Sequence, residues 1–216
     1  RKITRFNSRL GFNRRGEVYE AVKYSLGFVD QNGIVQPNPS GKMLRSLLCT
    51  FTCDSTGGNW KDALPSAISL ELIHNFSLIH DDIQDGDVER RHQPTVWYLW
   101  GQPQALVAGN ALRSVADRTA LRLARLQVPA KKALRASQIL TQGYLEMTQG
   151  QCLDLSFEGR LDIGPEDYLD MVSRKTGALI RCGIEIGALV ASDDAASIRG
   201  YAEAGAYLGV AFQVRE

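Results

Sequence analysis

From Pro65 to Ile79 the chain is almost continuously apolar, interrupted only by Ser66, Ser69, Glu71, His74, Asn75 and Ser77. A helix on a protein surface shows a polar face of full width, and this segment has none, so it is predicted to be a helix buried inside a bundle. It runs without a break into His80-Asp81-Asp82-Ile83-Gln84-Asp85, three carboxylates in the pattern D-D-x-x-D. Charge runs also occur as solvated helix ends, and D-D-x-x-D alone arises by chance. The buried run before it favours function, because a buried helix does not end in three aspartates for solubility alone.

Helical periodicity dominates the remaining chain, and no segment alternates convincingly as a strand. Candidate helices are Asn13–Gly27, Gly41–Ser55, Pro65–Asp85, Pro103–Leu126, Ala130–Phe157, Pro165–Ala191 and Ser197–Glu216. Gln31-Asn32-Gly33, Pro37-Asn38-Pro39-Ser40 and Gly57-Gly58-Asn59 read as links between them. Pro65 and Pro165 suit first-turn positions, and Asp162 or Gly164 can start the helix that follows. A chain of 216 residues can bury one sizeable core. The expected architecture is all-α, a single-domain helical bundle over residues 1–216, with a site built between facing helices.

Charge narrows the function. Lys plus Arg number 25 and Asp plus Glu 24, so no global field recruits nucleic acid and functional charge must be local. No apolar run approaches the length of a transmembrane helix and no signal peptide is visible, so a soluble, cytoplasmic protein is expected. Cys49, Cys53, Cys152 and Cys182 sit in apolar surroundings without metal-ligand spacing and read as buried free thiols. The chain begins at Arg1 without a methionine and stops at Glu216 inside a helical pattern, as expected of a piece that lacks its C-terminal part.

Within residues 81–91 the charge is concentrated. At about 100° per residue, Asp81 and Asp85 share a helical face and Asp82 flanks them. Crowded carboxylates repel one another unless cations neutralise them, and open oxygen-only clusters suit Mg²⁺, which shares its remaining positions with waters and phosphate oxygens. Arg90 and Arg91 follow closely, and guanidinium forks grip phosphate. The combination reads as a metal-diphosphate site.

Other residues are weaker signals individually. Lys42 and Arg45, three apart at the start of the predicted helix Gly41–Ser55, are either an anion socket at the helix's positive end or two surface cations. His74 and Ser77 extend the stripe of Asp81 and Asp85 and point to a polar cavity lining. Lys175-Thr176 is bordered by Gly177, Ala178, Gly183 and Gly187, which places the lysine in a cleft rather than in a helix contact. Gln151, Asp154 and Gln213 carry little alone, and Trp97, Tyr98 and Trp100 read as packing.

In order and spacing, G-K-M-L-R at 41–45, E-L-I-H-N-F-S-L-I-H-D-D-I-Q-D at 71–85, E-R-R-H-Q-P-T-V-W at 89–97, G-Q-C-L-D-L at 150–155, K-T-G at 175–177 and F-Q-V-R-E at 212–216 resemble the trans-isoprenyl diphosphate synthases, also called the polyprenyl synthetase family. The resemblance implies an all-α bundle around a deep central cavity, of isoprenoid synthase type, usually as a homodimer. It implies that Asp81, Asp82 and Asp85 hold Mg²⁺ against an allylic prenyl diphosphate, and that Lys42, Arg45, His74 and Arg91 form the socket for isopentenyl diphosphate. Arg90, Lys175, Thr176 and Gln213 would address the allylic diphosphate or the carbocation beside it, with Gln151 and Asp154 lining the cavity.

Two departures from the family pattern stand out. Ser46 occupies a position where proline is common, and Glu216 stands where a second aspartate-rich motif should begin. The missing motif leaves room for a non-catalytic partner subunit, and the shared aspartate motif for a class I terpene cyclase, though a cyclase needs no isopentenyl socket. In similar synthases a bulky aromatic five places before D-D-x-x-D accompanies short products. Phe76 and Ser77 lie roughly 7.5 and 6 Å before Asp81 along the helix axis, which gives geranylgeranyl diphosphate as the expected product and farnesyl diphosphate as the runner-up.

Overall fold

The computed structural model describes residues 17–37, 41–126 and 128–215. Helices α1 (Glu17–Ser25), α2 (Leu44–Ser55) and α3 (Trp60–Gln84) come first. A two-residue ladder follows, β1 (Glu89–Arg90) against β2 (Gln93–Pro94). Then come α4 (Val96–Trp100), α5 (Gln102–Ala120), a 3₁₀ segment Leu121–Arg125, and α6 (Ala130–Phe157). The chain continues through α7 (Pro165–Val172), a π-turn at Ser173–Gly177, α8 (Ala178–Ala191) and α9 (Ala195–Arg215). The all-α expectation holds, and no helix among the described residues is long and apolar enough to cross a membrane.

Helix starts differ from the periodicity where a cap lies further upstream. The Asn59 side-chain oxygen accepts the Lys61 N–H at 3.2 Å, so α3 begins at Trp60 and carries Pro65 inside it rather than in its first turn. Likewise the Asp194 carboxylate accepts the Ala196 and Ser197 N–H groups and starts α9 two residues before Ser197. Gly164 precedes α7 with Pro165 as its first residue, and the Asp167 carboxylate accepts the Gly164 N–H at 3.1 Å. Residues 1–16, which include the start of the predicted helix Asn13–Gly27, residues 38–40, residue 127 and Glu216 lie outside the described residues.

The fold divides into two compact units, residues 1–42 with 71–119 and residues 43–70 with 120–216. In the first unit, Ala105, Ala108, Leu112 and Ala116 form a wholly buried spine along α5. On the 71–84 part of α3, Leu72, Ile73, Phe76 and Ile79 are buried. The Tyr24 hydroxyl donates to the Pro94 carbonyl at 2.6 Å, and its ring meets Trp100 edge-on at 5.3 Å. Those contacts tie α1 to α4 and make Trp100 a packing residue, as expected.

Helix α8 is the core of the second unit. Eleven of its fourteen residues are buried, as an almost uniformly apolar helix requires. Helix α2 crosses it where Gly183 faces the Arg45 carbonyl; a Cβ at Gly183 would lie 2.9 Å from that oxygen. Cys49, Cys53 and Cys182 are buried free thiols, and Cys182 donates to the Ile139 carbonyl at 3.3 Å. Burial pushes the Cys182 thiol up to about 12, so it stays protonated and inert. Cys152 is exposed, because α6 turns that position outward; this corrects the expectation that all four are buried.

Glu185 is the buried charge of α8. The Arg181 and Arg135 guanidinium groups lie 3.9 and 3.8 Å from its carboxylate, while Arg181 bonds Glu146 at 2.6 Å. Burial raises the Glu185 pKa; Arg181 and Arg135 pull it back only partly, and Glu146 raises it further. A carboxyl raised on folding contributes stability that is fully present below its unfolded pKa and is lost as pH rises through the folded value. Glu185→Gln removes that loss. The variant's stability relative to wild type should therefore improve from pH 4 to pH 7 in denaturant titrations; a pH-independent difference would show that Glu185 titrates normally.

Candidate active site

The candidate residues fall into two groups, one in each unit. In the first unit α3 ends in a Schellman-type turn: Gly86 adopts φ +70°, and the Asp87 N–H reaches back to the Asp82 carbonyl at 3.0 Å. The Asp85 N–H still bonds the Asp81 carbonyl at 2.8 Å, so the two residues stand one helical turn apart. All three aspartates thus crowd the negative end of a 25-residue helix, where a carboxylate is least welcome. The arrangement costs stability unless a cation is present.

Asp82 faces differently from its neighbours. It is only 4% exposed, and its carboxylate accepts a 2.5 Å hydrogen bond from Arg90 Nε. Burial pushes its carboxyl up; the hydrogen bond and charge of Arg90 pull it down, and Asp87 and Asp85 push it up again. Arg90 and Arg91 sit on a tight hairpin. Its two central residues, Arg91 and His92, have φ +54° and +63°, the doubly left-handed turn that matches strand twist and normally uses Asn-Gly. Strain of this kind persists where the surroundings impose it. Here the Arg91 guanidinium lies against Gly41, where a Cβ would stand 3.3 Å from Nη1. Asp82, Arg90, Arg91, Asn75, Gln93 and Tyr24 all line one cleft of this unit.

The other first-unit positions are partly as expected. Lys42 is exposed and precedes α2 instead of sharing its face with Arg45. Gly41 at φ +135° and Met43 at φ +47° break the helical path, so spacing by three does not mean a shared face there. His74 is half-buried, and the Ser77 hydroxyl donates to the His74 carbonyl at 2.9 Å. Phe76 is buried; its ring meets the His80 imidazole edge-on at 4.6 Å and lies 3.4 Å from a Cβ placed at Gly109. Burial lowers the His80 pKa, and a backbone contact at Leu106 opposes it.

In the second unit the predicted helix Pro165–Ala191 is interrupted by the π-turn Ser173–Gly177. π-turns cluster at functional sites, and this one carries Lys175 and Thr176. Lys175 Nζ pairs with the Asp154 carboxylate on α6, and the Thr176 hydroxyl donates to Gln213 Oε1 on α9 at 2.9 Å. Four candidates meet here as two pairs. The small residues around Lys175 predict a cleft rather than a contact; its backbone in fact touches α6 at Gly150 while its side chain reaches Asp154. Gln151 is buried on α6, and Arg45 is half-buried in the first turn of α2.

Among the described residues, no three His, Cys, Asp or Glu side chains converge as a ready-made metal cluster. The donor chemistry nonetheless fits Mg²⁺. This ion needs one or two carboxylates and takes substrate phosphate oxygens and water for the rest, and Asp81 and Asp85 offer two hard anionic groups one turn apart. The Asp82–Arg90 pair, the left-handed hairpin and the π-turn were not foreseen from sequence. The closely following arginines were the only advance signal for the first.

A family model described as polyprenyl synthetase matches residues 32–216. A (2E,6E)-farnesyl diphosphate synthase of Mycobacterium tuberculosis is 39% identical over 193 residues, covering 89% of this chain and 52% of its own length. A geranylgeranyl diphosphate synthase of Sulfolobus acidocaldarius is 38% identical over 174 residues, covering 81% of this chain and 52% of its own. The chain thus spans about half the length of the curated relatives it matches. The crystal structure of a polyprenyl synthetase from Streptomyces coelicolor A3(2) superposes with a TM-score of 0.86 at 34% identity, over 97% of this chain and 61% of that one.

Proposed function

The chain belongs to the polyprenyl synthetase family, and from that membership we propose that it acts as a trans-prenyltransferase condensing isopentenyl diphosphate with an allylic prenyl diphosphate. The observation that carries the reading is the end of α3, where Asp81 and Asp85 crowd the helix terminus and buried Asp82 grips Arg90. One cluster thereby combines acceptors for a divalent cation with a fixed guanidinium for phosphate.

Asp81 and Asp85 would hold Mg²⁺, which when bound neutralises the diphosphate and favours its departure. Asp82 orients Arg90 toward the leaving diphosphate, and Lys175 adds a second positive charge for it. Lys42, Arg45, His74 and Arg91 are the proposed holders of isopentenyl diphosphate, the Arg91 guanidinium being braced against Gly41. Ionisation of the allylic C–O bond gives a carbocation, the isopentenyl alkene attacks it, and loss of a proton completes the transfer. No side-chain nucleophile is required. The proposed setting is one polyprenyl synthetase domain acting as a homodimer.

The test uses the purified protein expressed from its complete gene, with Mg²⁺, isopentenyl diphosphate and an allylic diphosphate. Release of diphosphate with a longer linear prenyl diphosphate is expected. A cyclic hydrocarbon made from the allylic substrate alone would indicate a cyclase, and no turnover in any combination would favour a partner subunit.

For the product we propose geranylgeranyl diphosphate, with farnesyl diphosphate second; relatives of both kinds match at similar identity. Phe76, held edge-on by His80, is the proposed floor for the growing chain, and Ser77 leaves space beside it. Phe76→Ala should therefore lengthen the product by at least one isoprene unit when chain lengths are read by chromatography. An unchanged distribution would place the floor elsewhere.

A further inference from the structure

The two helices that flank the π-turn Ser173–Gly177 repeat one arrangement. On α6, Gly150 lies against the turn's main chain: a Cβ there would stand 2.6 Å from Lys175 Cα and 2.8 Å from the Arg174 carbonyl carbon. Four residues further on, Asp154 pairs with Lys175 Nζ. On α9, Gly209 meets the Gly177 backbone, and a Cβ would stand 2.5 Å from its Cα and 3.1 Å from its carbonyl oxygen. Four residues further on, Gln213 accepts the Thr176 hydroxyl.

Residues i and i+4 share a helical face. Each flanking helix therefore presents a glycine to the turn's backbone and a polar group to one of its side chains. The obstacles to a larger residue are main-chain atoms, which cannot swing aside as a side-chain end can. A π-turn is also an unfavoured conformation, kept only where surrounding contacts over-determine it.

We propose that Gly150 and Gly209 are positioning residues that clamp the π-turn from two sides and so set where Lys175 and Thr176 meet the diphosphate of the allylic substrate. The inference rests on the prenyltransferase reading of those two residues. A Cβ at either glycine pushes the turn away from its helix and pulls Lys175 from Asp154, or Thr176 from Gln213. Displacement of about 1 Å at a substrate-positioning group is enough to cost on the order of a hundredfold.

The experiment compares Gly150→Ala and Gly209→Ala with Gly200→Ala, a position on α9 that a Cβ can occupy without meeting anything within 4 Å. In the first two, KM for the allylic diphosphate should rise about tenfold or more while KM for isopentenyl diphosphate stays within about twofold; Gly200→Ala should match wild type. Binding of inorganic diphosphate with Mg²⁺, measured calorimetrically, should weaken in parallel. Deleting Ser173 supplies a variant that does not depend on tolerating a new side chain: it should restore a continuous α-helix, keep the fold by circular dichroism and lose diphosphate binding. The clamp is overturned if both glycine variants keep wild-type KM values, if both KM values rise equally, or if the deletion folds and binds diphosphate normally. Failure of the unaltered protein to transfer any prenyl group overturns the functional reading instead. The diphosphate titration still decides the clamp, which stands if binding weakens in the variants and falls if it does not.

Discussion

Asp81→Ala should lower turnover by about three to four orders of magnitude while leaving the fold intact. Losing a group that holds a charge-neutralising cation at the departing diphosphate is worth several kcal/mol of transition-state stabilisation, and about 1.4 kcal/mol corresponds to each factor of ten. Stability without metal should hold steady or rise, because the variant relieves both the repulsion among Asp81, Asp82 and Asp85 and the clash of a carboxylate with the helix's negative end. Single-turnover kinetics at saturating Mg²⁺ and thermal melts in chelator check the two halves. Turnover within tenfold of wild type would sink the assignment of Asp81 to the metal. Asp82→Ala should also be slow, but for a different reason: its Mg²⁺ dependence should stay near normal while the allylic KM rises, because Arg90 loses its anchor.

Arg90→Ala is expected to cost about 3 kcal/mol of stability as well as weakening allylic diphosphate binding. The Asp82 side chain is 6% exposed and Arg90 is its ion-pair partner at 2.5 Å. Removing one member of a buried pair strands the other charge without solvent, which typically costs 3–5 kcal/mol; the partial exposure of Arg90 puts this pair at the low end. Replacing both residues with apolar ones of similar size, Arg90→Met with Asp82→Leu, should recover most of the lost stability and none of the activity. Denaturant midpoints separate these outcomes. If Arg90→Ala unfolds at the wild-type midpoint, Asp82 is better solvated than its burial indicates.

Much of the architecture could be read directly from the chain. The buried run from Pro65 to Ile79, the end of α6 at Phe157 and the start of α7 at Pro165 follow from apolar content and turn chemistry, which act within a few residues of themselves. The errors at α3 and α9 were also local: the Asn59 and Asp194 caps begin those helices before the apolar pattern does. The candidate site was legible as a set of residues, because carboxylates, arginines and their order are properties of sequence.

Sequence by itself therefore determined an all-α chain with an aspartate-ended buried helix, and supplied the residues proposed for metal and diphosphate chemistry. Tertiary structure alone decided which partners those residues meet. Asp82 is buried and pairs with Arg90, although spacing alone grouped it with Asp81 and Asp85. Lys175 and Thr176 sit on a π-turn, and Gly150 and Gly209, distant in sequence, let two helices approach its backbone closely. Periodicity records which face of a helix avoids water. It does not record how closely two backbones approach or which buried charge finds a partner, since both are settled only when remote segments meet.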